Sequence, residues 1–371
     1  MPDEALIHRV PMRHPGDTSG LARLIDTGEV EAGRILAVLG KTEGNGCVND
    51  HTRGYAVLAL QTLLAERLGI TRDAVTDRVA MVMSGGTEGA LSPHFTVLST
   101  RTAQGAPAGT KALAIGVAHT RDFLPEELGR MAQIDATADA VREAMQRASI
   151  ADTADVHYVQ VKCPLLTTER AHEALRRGAA VVTEDTYASM AYSRGASALG
   201  VALALGEAAR PTVSDNMVLQ DLSIWSGRAS ASAGVELMRN EVLVLGNSLS
   251  WGGPLRIAHG TMADAIDLDA VLGVLRTLGF PHAGQLPRGH RARIKAVLAK
   301  AEPSSTGVIR GLRHTMLDDS DINATRHARA AVGGVVGAAL GQTDLFISGG
   351  AEHQGPDGGG PIAIIAHVSA P

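Results

Sequence analysis

Short apolar runs alternate along the chain with segments of helical periodicity. Two of these runs, KALAIGVAHT (residues 111–120) and NEVLVLGNS (residues 240–248), are rich in aliphatic residues and end at polar positions, which predicts strands. The segment LDAVLGVLRTLGF (residues 268–280) repeats its apolar residues every three or four positions, which predicts an amphipathic helix. This alternation favours an α/β protein whose strands end in polar loops.

One pattern of three elements occurs three times. A strand-like run ends in a lysine, an arginine then opens a helix rich in Ala, Leu and Val, and a Ser-small-Gly-x-Glu segment follows. Nine positions in the same order and local context indicate an internal repeat. The nine positions are the lysines Lys41, Lys162 and Lys300, the arginines Arg53, Arg194 and Arg326, and the serines Ser84, Ser232 and Ser348.

The repeat predicts the domain organisation. Segments rich in Gly, Pro and Ser at residues 102–110 and 246–254 suit the joints between units. We therefore expect an α/β fold of three similar units, residues 1–104, 111–248 and 254–371. Three sheets facing a pseudo-threefold axis would bring the polar loops together into one central active site.

Composition excludes several classes of function. The formal net charge of −5 and the aromatic content of 3% argue against a nucleic-acid or anionic-membrane partner. The first residues are charged and interrupted by prolines, which predicts no signal peptide, and no apolar run is long enough to span a bilayer. Two cysteines, Cys47 and Cys163, are too few for a disulfide framework or a zinc site, so we expect a cytoplasmic protein.

Lysine paired with serine is an arrangement of base and nucleophile. A lysine can accept the serine proton only if desolvation or a nearby cation lowers its pKa towards neutrality. The arginines can supply that positive field and can also bind carbonyl groups of a ligand. The glycines that follow the serines let backbone N–H groups approach a carbonyl oxygen closely. Three such sets suit a small ring with three equivalent polar edges.

Other readings of these residues are open to test. A lone lysine is usually solvated and a lone Ser-Gly-Gly is usually a turn, but neither reading explains a threefold repeat. The string LGKT (Leu39–Thr42) resembles the end of a phosphate-binding loop, yet Ile35 stands where that loop requires glycine. A nucleotide-hydrolysing enzyme is therefore disfavoured. A non-catalytic protein with a threefold ligand pocket would bind the ligand without releasing a product.

Four strings together resemble the cyanuric acid hydrolase/barbiturase family of cyclic amidases, over essentially the whole chain. They are VLGKTEGNGCVND, VMSGGTEGALSPH, VQVKCPLLT and FISGGAEHQGPDGGGP. The resemblance implies three similar domains around a central site that opens a ring C–N amide bond of cyanuric acid or barbituric acid. With cyanuric acid the product would be carboxybiuret, which loses carbon dioxide to give biuret. The four strings are more similar to the cyanuric acid hydrolases of this family than to its barbiturases. The resemblance also suggests a homotetramer.

The resemblance implies a role for each site residue. Ser232 would be the nucleophile and Lys162 its base, with Lys41 and Lys300 in the two further dyads. Substrate would be bound by Arg53, Ser84, Gly85, Arg194, Ser232, Ala233, Arg326, Ser348 and Gly349. No organic cofactor is implied. A structural divalent cation, Mg²⁺ or Ca²⁺, would be held by Glu302, Ala351, Gln354, Gly355, Pro356 and Gly359, mainly through backbone oxygens, as a hard cation prefers.

An argument from the residues themselves also selects the second dyad. Glu43 follows Lys41 by two positions, and Glu302 follows Lys300 by two. A nearby carboxylate keeps a lysine charged and unable to act as a base. Lys162 is followed by CPLL instead, so we expect desolvation to act on it unopposed.

Overall fold

A computed structural model describes residues 2–103, 109–317 and 319–368. The predicted end of the first unit, residue 104, and residues 369–371 at the end of the third lie outside this range. The first unit contains β1 (Asp3–Pro11), α1 (Ser19–Asp26), β2 (Ile35–Thr42), α2 (His51–Leu68), α3 (Arg72–Thr76), β3 (Ala80–Gly85) and β4 (His94–Thr102).

The second unit repeats this order of elements, and the third adds a short hairpin and places its second short helix earlier. The second contains β5 (Ala112–His119), α4 (Met131–Arg147), β6 (Val156–Pro164), α5 (Thr168–Arg176), α6 (Thr186–Leu205), β7 (Ala229–Gly234) and β8 (Glu241–Ser248). The third contains β9 (Leu255–Met262), α7 (Leu268–Thr277), α8 (Arg288–Arg291), β10 (Ile294–Ala301), β11 (Val308–Ile309), β12 (Leu312–Arg313), α9 (Ala324–Leu340), β13 (Phe346–Gly349) and β14 (Gly360–His367).

The three four-stranded sheets have the same topology. Their strand orders are β1-β4-β2-β3, β5-β8-β6-β7 and β9-β14-β10-β13. In each sheet the second and third strands along the chain are parallel, and the remaining pairs are antiparallel. The long helix between the parallel strands ends in every unit at a glycine with positive φ, namely Gly69, Gly206 and Gly341. The expectation of a threefold α/β repeat is therefore confirmed.

The sheets meet in one shared apolar core. Fully buried side chains from all three units belong to it, among them Leu39, Tyr158, Leu298 and Phe346. Because strand side chains alternate between faces, each sheet contributes one face to this centre and packs its helices on the other. In the described part of the chain no helix is long and apolar enough to cross a bilayer.

Close packing of a helix on the second sheet depends on Gly116 in β5. A Cβ atom added there would lie 1.9 Å from the carbonyl oxygen of Ala144 in α4. We predict that Gly116→Ala lowers the free energy of unfolding by about 2 kcal/mol or more, because the backbone must move. Denaturant unfolding with an unchanged m-value measures this.

Gly334 in α9 provides the matched control, because a Cβ atom added there would have no neighbouring atom within 4 Å. Gly334→Ala should leave stability unchanged or raise it by up to about 1 kcal/mol through helix propensity. Equal stabilities of the two variants would contradict the packing account.

Candidate active site

Parallel strand pairing places each predicted lysine directly opposite its serine. Lys41 is in register with Ser84 across β2 and β3, and the pairs in the other two units, Lys162 with Ser232 and Lys300 with Ser348, occupy the same position. All three lysines are buried, with at most 1% of their surface exposed. The sequence therefore predicted both members of each pair correctly as neighbours.

The three serine segments converge on one cavity of about 30 Å³. Two of the three serines are in direct contact there, with Ser232 Oγ and Ser348 Oγ 2.9 Å apart. Eight of the nine residues predicted to bind substrate line it: Arg53, Ser84, Gly85, Arg194, Ser232, Ala233, Ser348 and Gly349. Gly46, Met83 and Met190 complete the wall together with a third arginine.

That third arginine is Arg329, which corrects the prediction of Arg326. Arg329 is buried and lines the cavity, whereas Arg326 is half-buried and its Nε donates to the carbonyl oxygen of Asn45. The two arginines are one turn apart on α9, and sequence similarity to the start of α2 favoured the wrong one. The spacing to the glycine that ends the helix is the same for Arg194 (206 − 194 = 12) and Arg329 (341 − 329 = 12), but it is not a general signal, because it is 69 − 53 = 16 for Arg53.

The glutamates that end the serine segments contact the arginines and lysines of the site, and the sequence analysis left them without a role. Each lies four positions after its serine. Arg329 forms a bidentate ion pair with Glu88, with Nε–Oε2 and NH2–Oε1 distances of 2.8 and 2.5 Å. Arg194 binds Glu352 at the same two distances. Both pairs join two different units.

The third glutamate, Glu236, departs from this pattern. Its Oε1 lies 2.7 Å from Lys162 Nζ. Arg53, which is the symmetry counterpart of the other two arginines, donates instead to the carbonyl oxygens of Ala233 at 3.1 Å and Cys47 at 2.7 Å. Burial opposes ionisation of Glu236, but Lys162 and Arg53 hold the pKa of this carboxyl below its ordinary value.

The electrostatic argument for an unopposed Lys162 is therefore wrong. Glu43 is exposed, and Glu302 accepts the backbone N–H of Gly350. Burial, followed by the Arg329 guanidinium, holds the pKa of Lys41 well below its ordinary value. The acid that matters for Lys162 comes from the segment after the neighbouring strand and not from position +2.

Lys300 also has a lowered pKa, of about 7, caused first by burial and then by Arg194. Its Nζ lies 3.2 Å from Ser348 Oγ, and Lys41 Nζ lies at the same distance from Ser84 Oγ. Lys162 Nζ donates to the carbonyl oxygen of Met83 at 3.3 Å in addition to its ion pair. The second dyad is thus in register but is held differently from the other two.

Three of the six predicted cation ligands line a second cavity, whereas Gln354, Pro356 and Gly359 do not. Glu302, Ala351 and Gly355 line a cavity of about 190 Å³. Among the described residues no group of three His, Cys, Asp or Glu could hold a metal, so any cation here would bind mainly backbone oxygens together with Glu302. Gly355 has a φ of 109°, a conformation that favours glycine and lets the loop turn sharply. Oxygen donors of this kind fit a hard cation.

Gln354 connects this loop to the active site. Its Oε1 accepts the backbone N–H of Ala231 at 2.7 Å, and its Nε2 donates to the carbonyl oxygens of Gly350 and Glu352. Both ends of the side chain are thus engaged, so Gln354 would bind a cation through its backbone oxygen. Through its bond to Ala231, Gln354 also fixes the strand residue that precedes Ser232. Two other predicted ligands contact each other, since the carbonyl oxygen of Pro356 accepts the backbone N–H of Gly359 at 2.8 Å.

Comparison with known proteins places the chain in a family. Residues 6–367 match the amidohydrolase ring-opening protein family. The chain is 54% identical over 369 residues to the cyanuric acid amidohydrolase of Enterobacter cloacae, covering 99% of this chain and 100% of the relative. It is 56% identical over 362 residues to the cyanuric acid amidohydrolase of Azorhizobium caulinodans, covering 98% of each.

Solved structures agree with this relationship. One cyanuric acid hydrolase superposes with a TM-score of 0.95 at 53% identity, covering 99% of this chain and 100% of the other. The crystal structure of the enzyme from A. caulinodans gives a TM-score of 0.91 at 53% identity with the same coverage. The resemblance seen in the sequence is confirmed, and the chain belongs to the amidohydrolase ring-opening family.

Proposed function

We propose that this enzyme hydrolyses one ring C–N amide bond of cyanuric acid. The observation that carries the proposal is the presence of three equivalent polar edges, each with a serine and an arginine, around one cavity. Cyanuric acid is a ring with three equivalent C=O and N–H edges, so one set of donors can bind each edge. Relatives that share more than half of the sequence act, by name, on the same compound.

The proposed nucleophile is Ser232, with Lys162 as its base. The support is that the second dyad differs from the other two, because its lysine is the one that contacts the glutamate of the serine segment directly. Ser232 gives its proton to Lys162 Nζ while Oγ bonds to a ring carbonyl carbon. The C–N bond then breaks, and Lys162 returns the proton to the leaving ring nitrogen.

Backbone N–H groups beside Ser232 would hold the oxyanion during attack, as the small residues Ala233 and Gly234 allow. Water then hydrolyses the acyl-enzyme to give carboxybiuret, which decarboxylates to biuret. Arg53, Arg194 and Arg329 would orient the other ring carbonyls and keep the reacting carbon next to Oγ.

We also propose that the loop containing Glu302 and Ala351 holds a structural divalent cation. The bound cation would supply stability to the loop and no chemical step. The backbone oxygens of Gln354, Gly355, Pro356 and Gly359 are the further donors. Gln354 then makes the position of Ala231, and with it Ser232, depend on the ordered loop.

Substitution of the serines tests the choice of nucleophile. Ser232→Ala and Lys162→Ala should lower kcat by about a thousandfold or more, because each removes a member of the reacting pair. Ser84→Ala should mainly raise KM, because Ser84 only binds the ring. Loss of ring absorbance and formation of biuret measure turnover, and calorimetric titration measures whether Ser232→Ala still binds cyanuric acid.

Barbituric acid and ATP assayed with the same enzyme separate the alternatives. Preferred turnover of barbituric acid would make the enzyme a barbiturase, ATP hydrolysis would indicate a nucleotide enzyme, and binding without products would indicate a binding protein. Near-normal turnover by Ser232→Ala, with loss of turnover in Ser84→Ala, would overturn the choice of nucleophile.

The two neighbouring arginines of α9 should respond differently to substitution. Arg329→Ala should lower kcat/KM by about thirtyfold or more, with effects on both KM and kcat, since it removes a ring contact and leaves Glu88 without its partner. Arg326→Ala should change kcat/KM by less than about threefold. A larger effect at Arg326 than at Arg329 would return the third binding role to Arg326.

Removal of divalent cations tests the proposed metal site. Dialysis against EDTA should lower the melting temperature, and adding Mg²⁺ or Ca²⁺ should restore it, because a ligand that binds only the native state stabilises it. Glu302→Gln should weaken this response without abolishing it, since backbone oxygens remain. A melting temperature that does not respond to chelator or cations would rule the site out.

A further inference from the structure

Three glutamates hold equivalent positions around the pocket, but one of them has a different partner. Glu88 and Glu352 are each bound by two nitrogens of an arginine from a neighbouring unit. Glu236 contacts Lys162 Nζ instead, at 2.7 Å. The pocket is therefore threefold in composition but not in its ion pairs.

Asp50, the cap residue of α2, is a carboxylate beside Arg53 that has no counterpart beside Arg194 within the described ranges. Asp50 caps the N-terminus of α2 and accepts the backbone N–H groups of Thr52 and Gly46. Its Oδ2 lies 3.9 Å from Arg53 Nε, an atom that has no hydrogen-bond partner among the described residues. Arg53 is the third residue of its helix, so the cap carboxylate lies beside it; Arg194 is the ninth residue of α6.

The surroundings of the Lys162–Glu236 pair are charged on several sides. Arg53 and Arg170 act on Glu236, whose side chain is 20% exposed. Glu241 of β8 lies opposite Lys162 in the antiparallel register. Burial raises the pKa of Glu241 to about 7, and its Oε2 accepts the backbone N–H of Met81. Glu236 is the carboxylate that directly contacts the lysine.

We propose that Glu236 is a positioning residue that completes a Ser232–Lys162–Glu236 triad. The inference rests on the proposed roles of Ser232 and Lys162. Glu236 fixes Nζ of Lys162 and stabilises the ammonium group that forms when Lys162 takes the Ser232 proton. Its role corresponds to that of the aspartate in a Ser-His-Asp triad, which orients the base and stabilises its charged form without taking the proton itself.

This role has two opposing consequences. Before the reaction, Lys162 must release its ammonium proton to solvent, and the Glu236 carboxylate makes that release harder. During the reaction, the same carboxylate favours transfer of the proton from Ser232 to Nζ. The Ser232 O–H bond breaks and an N–H bond forms, and the proton later moves to the ring nitrogen, so atoms and charge balance.

The test is the pH profile of kcat/KM for Glu236→Gln. Without the carboxylate the acid limb of the profile should move to lower pH by about one unit or more, because the charged lysine has lost its opposite charge. At the plateau kcat should fall by about tenfold or more, with little change in KM. The substrate's own titration is common to all variants, so differences between profiles report the protein.

Two further variants make the result decisive. Glu88→Gln is the matched control at the equivalent position: it should raise KM through Arg329 and leave the acid limb in place. Glu236→Asp keeps the charge and should keep the wild-type midpoint of the acid limb. This variant also tests the proposal if Glu236→Gln folds poorly. A midpoint for Glu236→Asp that moves to lower pH by about one unit would contradict the proposal, because the carboxylate is still present.

The outcomes separate this inference from the proposed function. Superimposable profiles for Glu236→Gln and wild type, with Ser232→Ala inactive, would overturn the role of Glu236 alone. An active Ser232→Ala would overturn both. An equal acid-limb shift in Glu88→Gln would show that the effect is general to the pocket and would also overturn the proposal.

Discussion

Burial of three lysines at the centre of the molecule is the constraint on which the rest of the active site depends. A buried ammonium group without acceptors or an opposite charge loses its proton, because desolvation disfavours the charged form. The parallel strand pairs bring serines and carbonyl oxygens to these lysines, and the segments that follow bring carboxylates. Lys300 illustrates the arrangement, since Nζ contacts the carbonyl oxygens of Ala231 and Gly349 as well as Ser348 Oγ.

No unit can build this site alone. Lys300 takes an acceptor from the second unit, Arg329 binds a glutamate of the first, and Arg194 binds a glutamate of the third. The shared apolar core ties the three sheets together in the same region. Repetition gives the pocket three edges of similar composition, and one of them differs in its ion pairs. At that edge Arg53 binds the carbonyl oxygens of Ala233 and Cys47, and Glu236 contacts Lys162.

Local patterns predicted the features that depend on strand position. Lysine and serine positions could be read from the sequence because both lie at the ends of apolar strands, where parallel pairing fixes their register. Features that depend on contacts between units could not be read. The choice between Arg326 and Arg329 depends on which turn of α9 lies against the pocket. The charge around Lys162 depends on Glu236, which lies 74 positions later (236 − 162) and reaches the lysine from the segment after a different strand.

The central claim is that one of three equivalent serines reacts, and mass spectrometry of the quenched enzyme tests it most directly. Wild-type protein mixed with excess cyanuric acid is acid-quenched within milliseconds and digested, and the peptides that contain Ser84, Ser232 and Ser348 are compared. Our account predicts that only the Ser232 peptide gains the mass of one substrate molecule. The same mass on the Ser84 or Ser348 peptide, with the Ser232 peptide unmodified, would contradict it.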